Sequence, residues 1–558
     1  MATDVHIGGR LEAVAPRRVT DPADRVRLLA LVAVAVAVHG WTLTHTRVTA
    51  RDSIGFARYA LQLEDPRAAG FADVVAVLRD PNTQHPPGYP LAVLAASWPV
   101  RAAYHADLPD QMLMSAQVAS CVAAVLLVFP TYWLGRMLFG KFAGFAAALL
   151  FQVLPVPAEV TSDGLTEGLY LLTLGTALLL GTRAVKNPGV GGFLLCGLAT
   201  GATYLVRPEG MLAAAAVGLV VVGMAAARRW AWPSAAAWLT ALAVGAVLPA
   251  LPYMILIGGV SNKPSVDGMF QKIGNWREQV VGGHGAARPP APLFAVWYNP
   301  EADGPLPAWV PRAIAAEGVK TFHYAPAGLA VLGLLAAARR LRAEPWAWVP
   351  IAYGGLVLAA VAALASVGQV TQGERHHYVS ERHTLPLVYV GCFFAAFAIE
   401  QLPGWLGRIS LVGDWPAHPA VAWAVLAGVV VSCVPRLVRP LHADRAGHVE
   451  AGRFLKDHMA PEDTLIDPFE WAGFYSGRTL RRIPPDPPPV AGRYRWAVLE
   501  KGETPHSHLH RYKDAQNVAN DGRNKAAVAF EWTEKAKVVT VYRQQITEED
   551  EAAAKAGK

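Results

Sequence analysis

Charge is scarce in this chain. Only 17% of its 558 residues are Asp, Glu, Lys or Arg, against 53% hydrophobic, and the mean hydropathy is +0.27. A soluble protein of this size carries far more surface charge, so the composition excludes a water-soluble class and predicts a polytopic membrane protein. Cysteine is nearly missing as well. Cys121, Cys196, Cys392 and Cys433 all fall in apolar stretches without C-x-x-C spacing, which indicates neither a disulfide framework nor a zinc site; they read as small core residues. The sequence has no GxxxxGK[ST] loop, no HExxH and no GxSxG, which removes the usual support for ATP chemistry, zinc proteolysis and serine hydrolysis. No repeat relates its two halves, as many transporters would show.

What is present is a series of apolar segments of the length that crosses a bilayer, about 20 residues each. About eleven candidates lie near 27–48, 111–135, 142–157, 164–182, 190–206, 209–227, 234–257, 324–338, 346–368, 384–402 and 418–435. The first follows a polar leader too long for an ordinary signal peptide, so it is expected to be retained. The isoelectric point near 9.2 could suggest nucleic acid, but Lys and Arg sit between the apolar segments, as topology signals do, and no nucleic-acid partner is expected. Arg10, Arg17, Arg18, Arg25 and Arg27 precede the first segment, and Arg136/Lys141, Arg183/Lys186, Arg228/Arg229 and Arg339/Arg340/Arg342 fall in alternate short loops. This pattern predicts a cytoplasmic N-terminus, with residues 49–110, the turn at Asp163, the turn at Arg207, the loop 258–322 and the loop 369–383 external. Arg436 and Arg439 after the last segment run against the pattern.

The expected organisation is a cytoplasmic segment 1–26, a transmembrane domain 27–440, and a soluble α/β domain 441–558 on the external side. Strand-like runs "DTLIDP", "RYRWAVLE" and "KVVTVYRQQ" and a helical pattern at "HVEAGRFLKDH" support the last assignment. "PPDPPP", Pro484–Pro489, reads as a stiff linker, and the tail "TEEDEAAAKAGK" as disorder or a frayed helix.

Charged groups near membrane depth are costly and mark functional candidates. In "VTARDSIGFARYALQLEDP" Asp52 and Tyr59 share one face of a short helix; Asp52 is a general base or an ordinary helix cap. His85, in "NTQHPPGYPLAVLAASWPV", lines a site or packs. Asp163 and Glu167 lie one helical turn apart and form either a cation or sugar-hydroxyl site or a favourable pair for the helix dipole. Arg207 in "YLVRPEG" and Arg375, His376, His377, Arg382 and His383 in "GERHHYVSERHTLPL" suit phosphate binding, with lipid headgroups or pairing to Glu209, Glu374 or Glu381 as the plainer alternatives. A metal at those histidines matches no dependable spacing. "HSHLH", His506–His510, is more cheaply an exposed polar strand.

The order of these motifs, with "FPTYWLGRMLFGKFAGFAAALLFQVLPVPAEVTSDGLTEGLYLLTLGTALLL" between them, resembles the GT-C glycosyltransferases of the protein O-mannosyltransferase and aminoarabinose-transferase type, over residues 27 to about 400. The resemblance implies an enzyme of the cell (inner) membrane that moves a sugar from a polyprenyl-phosphate carrier to a hydroxyl of a protein, lipid or glycan acceptor at the external face, usually with inversion. It implies Asp52 as the base, Asp163 or Glu167 orienting the acceptor or base, and Arg207 and Arg382, with Arg375 and His376, holding the carrier phosphate. Ser53 stands where many relatives have a second acidic residue, which speaks against a metal shared by that pair; a divalent cation is possible but not indicated, and no cofactor is expected. Acceptor choice is expected in 441–558 or in 258–322. A transporter or flippase and a noncatalytic membrane scaffold are the rival classes.

Overall fold

The computed structural model describes residues 21–64, 71–79, 85–261, 295–371, 374–407, 418–481, 488–501, 509, 511–534 and 537–556. Most of the loop 258–322, most of "PPDPPP" and all of "HSHLH" except Leu509 lie outside these residues.

Helix α1, Pro22–His45, begins where Asp21 accepts the Ala23 amide and Pro22 supplies a helix-ready φ. It is tied to the bundle by polar contacts that hydrocarbon makes expensive to leave unmade. Buried Asp24 accepts from the Tyr132 hydroxyl at 2.6 Å and pairs with Arg136 at 2.7 Å. Further along, His39 bridges Ser162 and Gln152. Three helices then fill the expected external stretch 49–110: α2 (Arg51–Glu64), α3 (Phe71–Arg79) and α4 (Gly88–Ala103). Helices α5 (Leu108–Leu126) and α6 (Val128–Phe139) form one long apolar rod.

Helices α7 (Lys141–Val153) and α8 (Pro155–Ser162) meet at a 65° bend. Leu154 is extended because Pro155 follows it, and Pro155 opens the next helix. A turn at Gly164, with φ +68°, leads into α9 (Glu167–Lys186). A side chain there would also meet Ser53 Oγ at 3.1 Å, so both backbone angle and space favour glycine. This bend and turn carry Asp163 and Glu167 to one end of the bundle.

Helices α10 (Val190–Val206), α11 (Leu212–Ala226) and α12 (Trp232–Ile257) follow. Gly245 of α12 lies so close to α10 that an added Cβ would sit 3.0 Å from Gly197 Cα; the pair lets two backbones touch, as small residues do between membrane helices. Later come Leu306–Thr321 and Ala325–Ala343, bent by 108°, then Trp348–Val367, Glu381–Leu406 and Ala420–Leu437.

Eight helices among the described residues are long and apolar enough to span, and the two bent pairs raise this to ten. The one expected segment left over, 190–206, is a helix of 17 residues, shorter than the spans proper. Each predicted apolar run is therefore helical, and length accounts for the difference in number.

Beyond the last span, the described residues from 441 onward build a four-stranded sheet in the order β1-β2-β4-β3: β1 (Thr464–Ile466), β2 (Tyr494–Lys501), β3 (Ala527–Glu534) and β4 (Lys537–Gln545), with β1 parallel to β2 and the other pairs antiparallel. Trp496, Val498, Val539 and Val541 pack against Ala451 and Leu455 of the helix Ala446–His458. Three of the four strands coincide with the predicted runs; β3 was not predicted, since "AVAFEWTE" carries acidic residues that weaken the strand pattern. Within the tail, Glu548–Ala556 is helical.

Candidate functional site

Asp52 stands in the first turn of α2 with its side chain 53% exposed. One guanidinium reaches it from across the bundle: Arg382, in the first turn of Glu381–Leu406, donates through Nη1 to Asp52 Oδ2 at 2.5 Å. Through Nε the same side chain donates to Glu167 Oε1 at 2.6 Å. Arg207, at the junction after α10, donates to that Glu167 oxygen at 2.8 Å and has Glu209 at 3.6 Å. Its guanidinium also stacks over the Tyr170 ring at 5.3 Å. The result is a relay Asp52–Arg382–Glu167–Arg207–Glu209, drawn from four separate segments of chain.

Glu167 is almost fully buried, a position that a carboxylate holds only when paired, and here two guanidinium groups pair it. Asp52 is tuned by the same network. Desolvation pushes its carboxyl up, but the Arg382 charge and hydrogen bond, helped by Arg51 and His85, hold it below the ordinary carboxylate value. It is therefore ionised at neutral pH, as an acceptor-only group must be to take a proton.

A cavity of about 870 Å3, part of it open to the surroundings, begins at these charges. Glu167, Arg207, Glu209, Arg382 and His383 line its polar end, while Leu171, Leu212, Val357, Ala360, Val361 and Leu364 make the remaining wall apolar. Such a chamber fits an amphipathic ligand whose anionic head meets the two guanidinium groups and whose hydrocarbon follows the helices.

The structure thus brings together Asp52, Glu167, Arg207 and Arg382. The other predicted residues fall elsewhere. Asp163 does not line the cavity; it accepts the Ala50 amide at 2.9 Å and pairs with His442 at 2.7 Å, which fixes the chain just before α2. Tyr59 is buried on the inner face of α2. His85 packs against Phe56 with ring centroids 5.0 Å apart, near enough to Asp52 for its charge to act on that carboxyl. Arg375 and His376 lie in a short strand, Glu374–His376, paired with Gln369–Thr371; their side chains lie outside the described residues. Ser53, beside Asp52, is fully buried and donates to the Asp163 carbonyl at 2.9 Å.

Glu470 is a residue that the sequence did not single out. It takes hydrogen bonds from Arg51 at 2.8 Å and Arg58 at 3.2 Å, on either side of Asp52. Nothing local in "DPFEWAG" signals this, because the partners stand 419 and 412 residues away.

Residues 97–254 match the family model described as dolichyl-phosphate-mannose-protein mannosyltransferase. Among solved structures, ArnT from Cupriavidus metallidurans, bound to undecaprenyl phosphate, superimposes with a TM-score of 0.56 over 93% of this chain and 98% of that one, at 15% identity. The chain has the GT-C fold. The apo form of the same ArnT gives a TM-score of 0.54 at 14% identity, over the same shares. The Archaeoglobus fulgidus oligosaccharyltransferase in its apo form shares the GT-C fold with a TM-score of 0.50 and 13% identity, over 81% of this chain; the chain spans 63% of that longer protein. No curated protein sequence matches this one. At these identities the likeness is one of fold, and the chemistry has to be read from the site.

Proposed function

We propose that this membrane protein is a glycosyltransferase that moves a sugar from a polyprenyl-phosphate carrier to an acceptor hydroxyl, with inversion, on the external side of the membrane. The observation that carries the proposal is the double role of Arg382, which lines a chamber of two guanidinium groups and an apolar wall and also holds the ionised Asp52 carboxylate. In this reading Arg207 and Arg382 take the carrier phosphate, and the isoprenoid follows Leu212, Val357, Val361 and Leu364. Asp52 accepts the proton of the acceptor hydroxyl as that oxygen attacks the anomeric carbon. The bond from sugar to phosphate breaks with its electron pair on phosphate oxygen, where the guanidinium charge is already in place. Glu167 keeps the two guanidinium groups together between turnovers.

The distribution of cationic loops supports a cytoplasmic N-terminus with Asp52 outside. The C-terminal unit touches α2 directly, so both belong on one side. ArnT of C. metallidurans is a complex with undecaprenyl phosphate, which supports the donor class and leaves the sugar open.

The test uses purified full-length protein, labelled polyprenyl-phosphate sugars and the Asp52→Asn variant. Label should pass to an added acceptor with the wild type and not with the variant. Transfer that survives Asp52→Asn sinks the assignment of the base, and movement of carrier across vesicles without transfer favours a flippase.

A further inference from the structure

The C-terminal unit holds the helix that carries Asp52 on both sides of that residue, at Arg51 and Arg58, whereas Asp52 itself meets Arg382. Arg51 and Arg58, seven residues apart and so on one face of α2, both end on the carboxylate of Glu470, at 2.8 and 3.2 Å. Arg58 gives its Nε to the Thr479 carbonyl at 2.8 Å. Trp471 donates from its indole to the Thr49 carbonyl at 3.3 Å, and Gln62 donates to the Arg481 carbonyl at 2.7 Å.

Glu470 is presented by a loop that has little freedom. Asp467 accepts the amides of Phe469 at 3.0 Å and Gly473 at 2.7 Å, closing the turn on both sides of Glu470. Glu470 itself has φ +68°, a left-handed conformation that costs a side-chain-bearing residue energy. Glycine would adopt that backbone without strain but could not bind two arginines. Strain kept at a residue whose side chain makes a specific contact marks a position held for that contact. Burial pushes the Glu470 carboxyl up, and Arg51 and Arg58 more than reverse this, so it stays ionised.

We propose that Glu470 is a positioning residue for Asp52: by gripping α2 at two points two turns apart, it sets the roll and depth of that helix and so where the Asp52 carboxylate meets Arg382 and the acceptor. The C-terminal unit is on this account part of the frame of the reaction centre, whatever its share in acceptor choice. The inference rests on Asp52 being the base. A carboxylate that must take a proton within hydrogen-bond reach tolerates little displacement, and about 1 Å of misplacement can cost on the order of 100-fold in rate.

The experiment compares wild type, Glu470→Gln and Glu470→Asp, full length, by steady-state transfer and by amide hydrogen exchange. Glu470→Gln should lower kcat by 10- to 100-fold, leave KM for the polyprenyl-phosphate donor within about threefold, and speed exchange across residues 50–58 while β2 and β4 exchange as before. Glu470→Asp should recover part of kcat. Unchanged exchange across 50–58, or faster exchange with unchanged kcat, overturns the inference and leaves the transferase reading intact. Faster exchange in β2 and β4 as well, in step with lost kcat, means a general folding defect and also overturns it. If the wild type transfers nothing from any polyprenyl-phosphate donor, the transferase reading fails and this inference falls with it.

Discussion

Asp52 and Glu167, which belong to different helices, hold opposite sides of one guanidinium, that of Arg382, at 2.5 and 2.6 Å. On the proposed function, the base and the phosphate site are therefore not independent. A phosphate that approaches Arg382 competes with Asp52 for it, and a phosphate that arrives loosens Asp52 toward the acceptor.

The first prediction is that Asp52→Asn separates binding from chemistry. Transfer should fall by about 10²- to 10⁴-fold, as the loss of a general base does. Undecaprenyl phosphate should bind the variant at least as tightly as the wild type, because one competing negative charge has gone. Titration of the lipid by calorimetry in detergent reads this directly, and weaker binding by the variant would count against the competition.

Arginine at 207 and 382 should not be replaceable by lysine. A lysine ammonium offers a point charge where the site uses two nitrogens of one planar group, at Asp52 and Glu167. Arg382→Gln should weaken carrier-phosphate binding by about 10- to 100-fold, the worth of one charged hydrogen bond, and Arg382→Lys should restore only part of this. Neutral polyprenol should bind equally to all three, which distinguishes a phosphate contact from a damaged tail groove.

The pH profile gives a third test. Asp52 acts as its deprotonated form, so kcat/KM falls as the pH drops through its pKa, and Arg382 keeps that pKa below the ordinary carboxylate value. Wild-type activity should thus show no acid limb from Asp52 down to about pH 4. In Arg382→Gln the stabilising charge is absent, the pKa rises, and the acid limb should move to higher pH even though the maximum rate is lower.

Asp163 should behave as a structural residue. It is buried, and removing it by Asp163→Ala strips the Ala50 amide of its acceptor and takes one partner from His442. About 1–3 kcal/mol of stability should be lost, seen as a lower thermal midpoint, with undecaprenyl phosphate affinity largely kept. Asp163→Asn, which retains a carbonyl for Ala50, should lose less. A normal midpoint with abolished transfer would instead place Asp163 in the reaction.

Much of this was legible from the chain because bilayers impose simple rules. A span has to be apolar and about 20 residues long, so α5, α9 and α12 are visible in the sequence as runs, and a carboxylate or guanidinium at the end of such a run stands out. Asp52, Glu167, Arg207 and Arg382 were found that way. Their pairing was not legible, since four helix ends converge only when the bundle is assembled. Asp163 and Glu167 illustrate the limit: they lie one turn apart and look equivalent, yet the turn at Gly164 sends one toward Ala50 and His442 and the other into the cavity. Glu470 was invisible for a related reason. A single acidic residue in a polar region has no signature, and only the folded chain reveals which arginines it meets.

Helix α10 has 17 residues, which at 1.5 Å per residue extends about 25 Å, roughly 5 Å less than a typical hydrocarbon core. Its Gly197–Gly245 contact with α12 keeps it from being drawn out of the bundle to make up the difference. A hydrocarbon layer that met both ends of so short a helix would thin beside it, at the end that carries Arg207. On the proposed function, a carrier would then reach Arg207 sideways from its own leaflet, with its isoprenoid kept in oil.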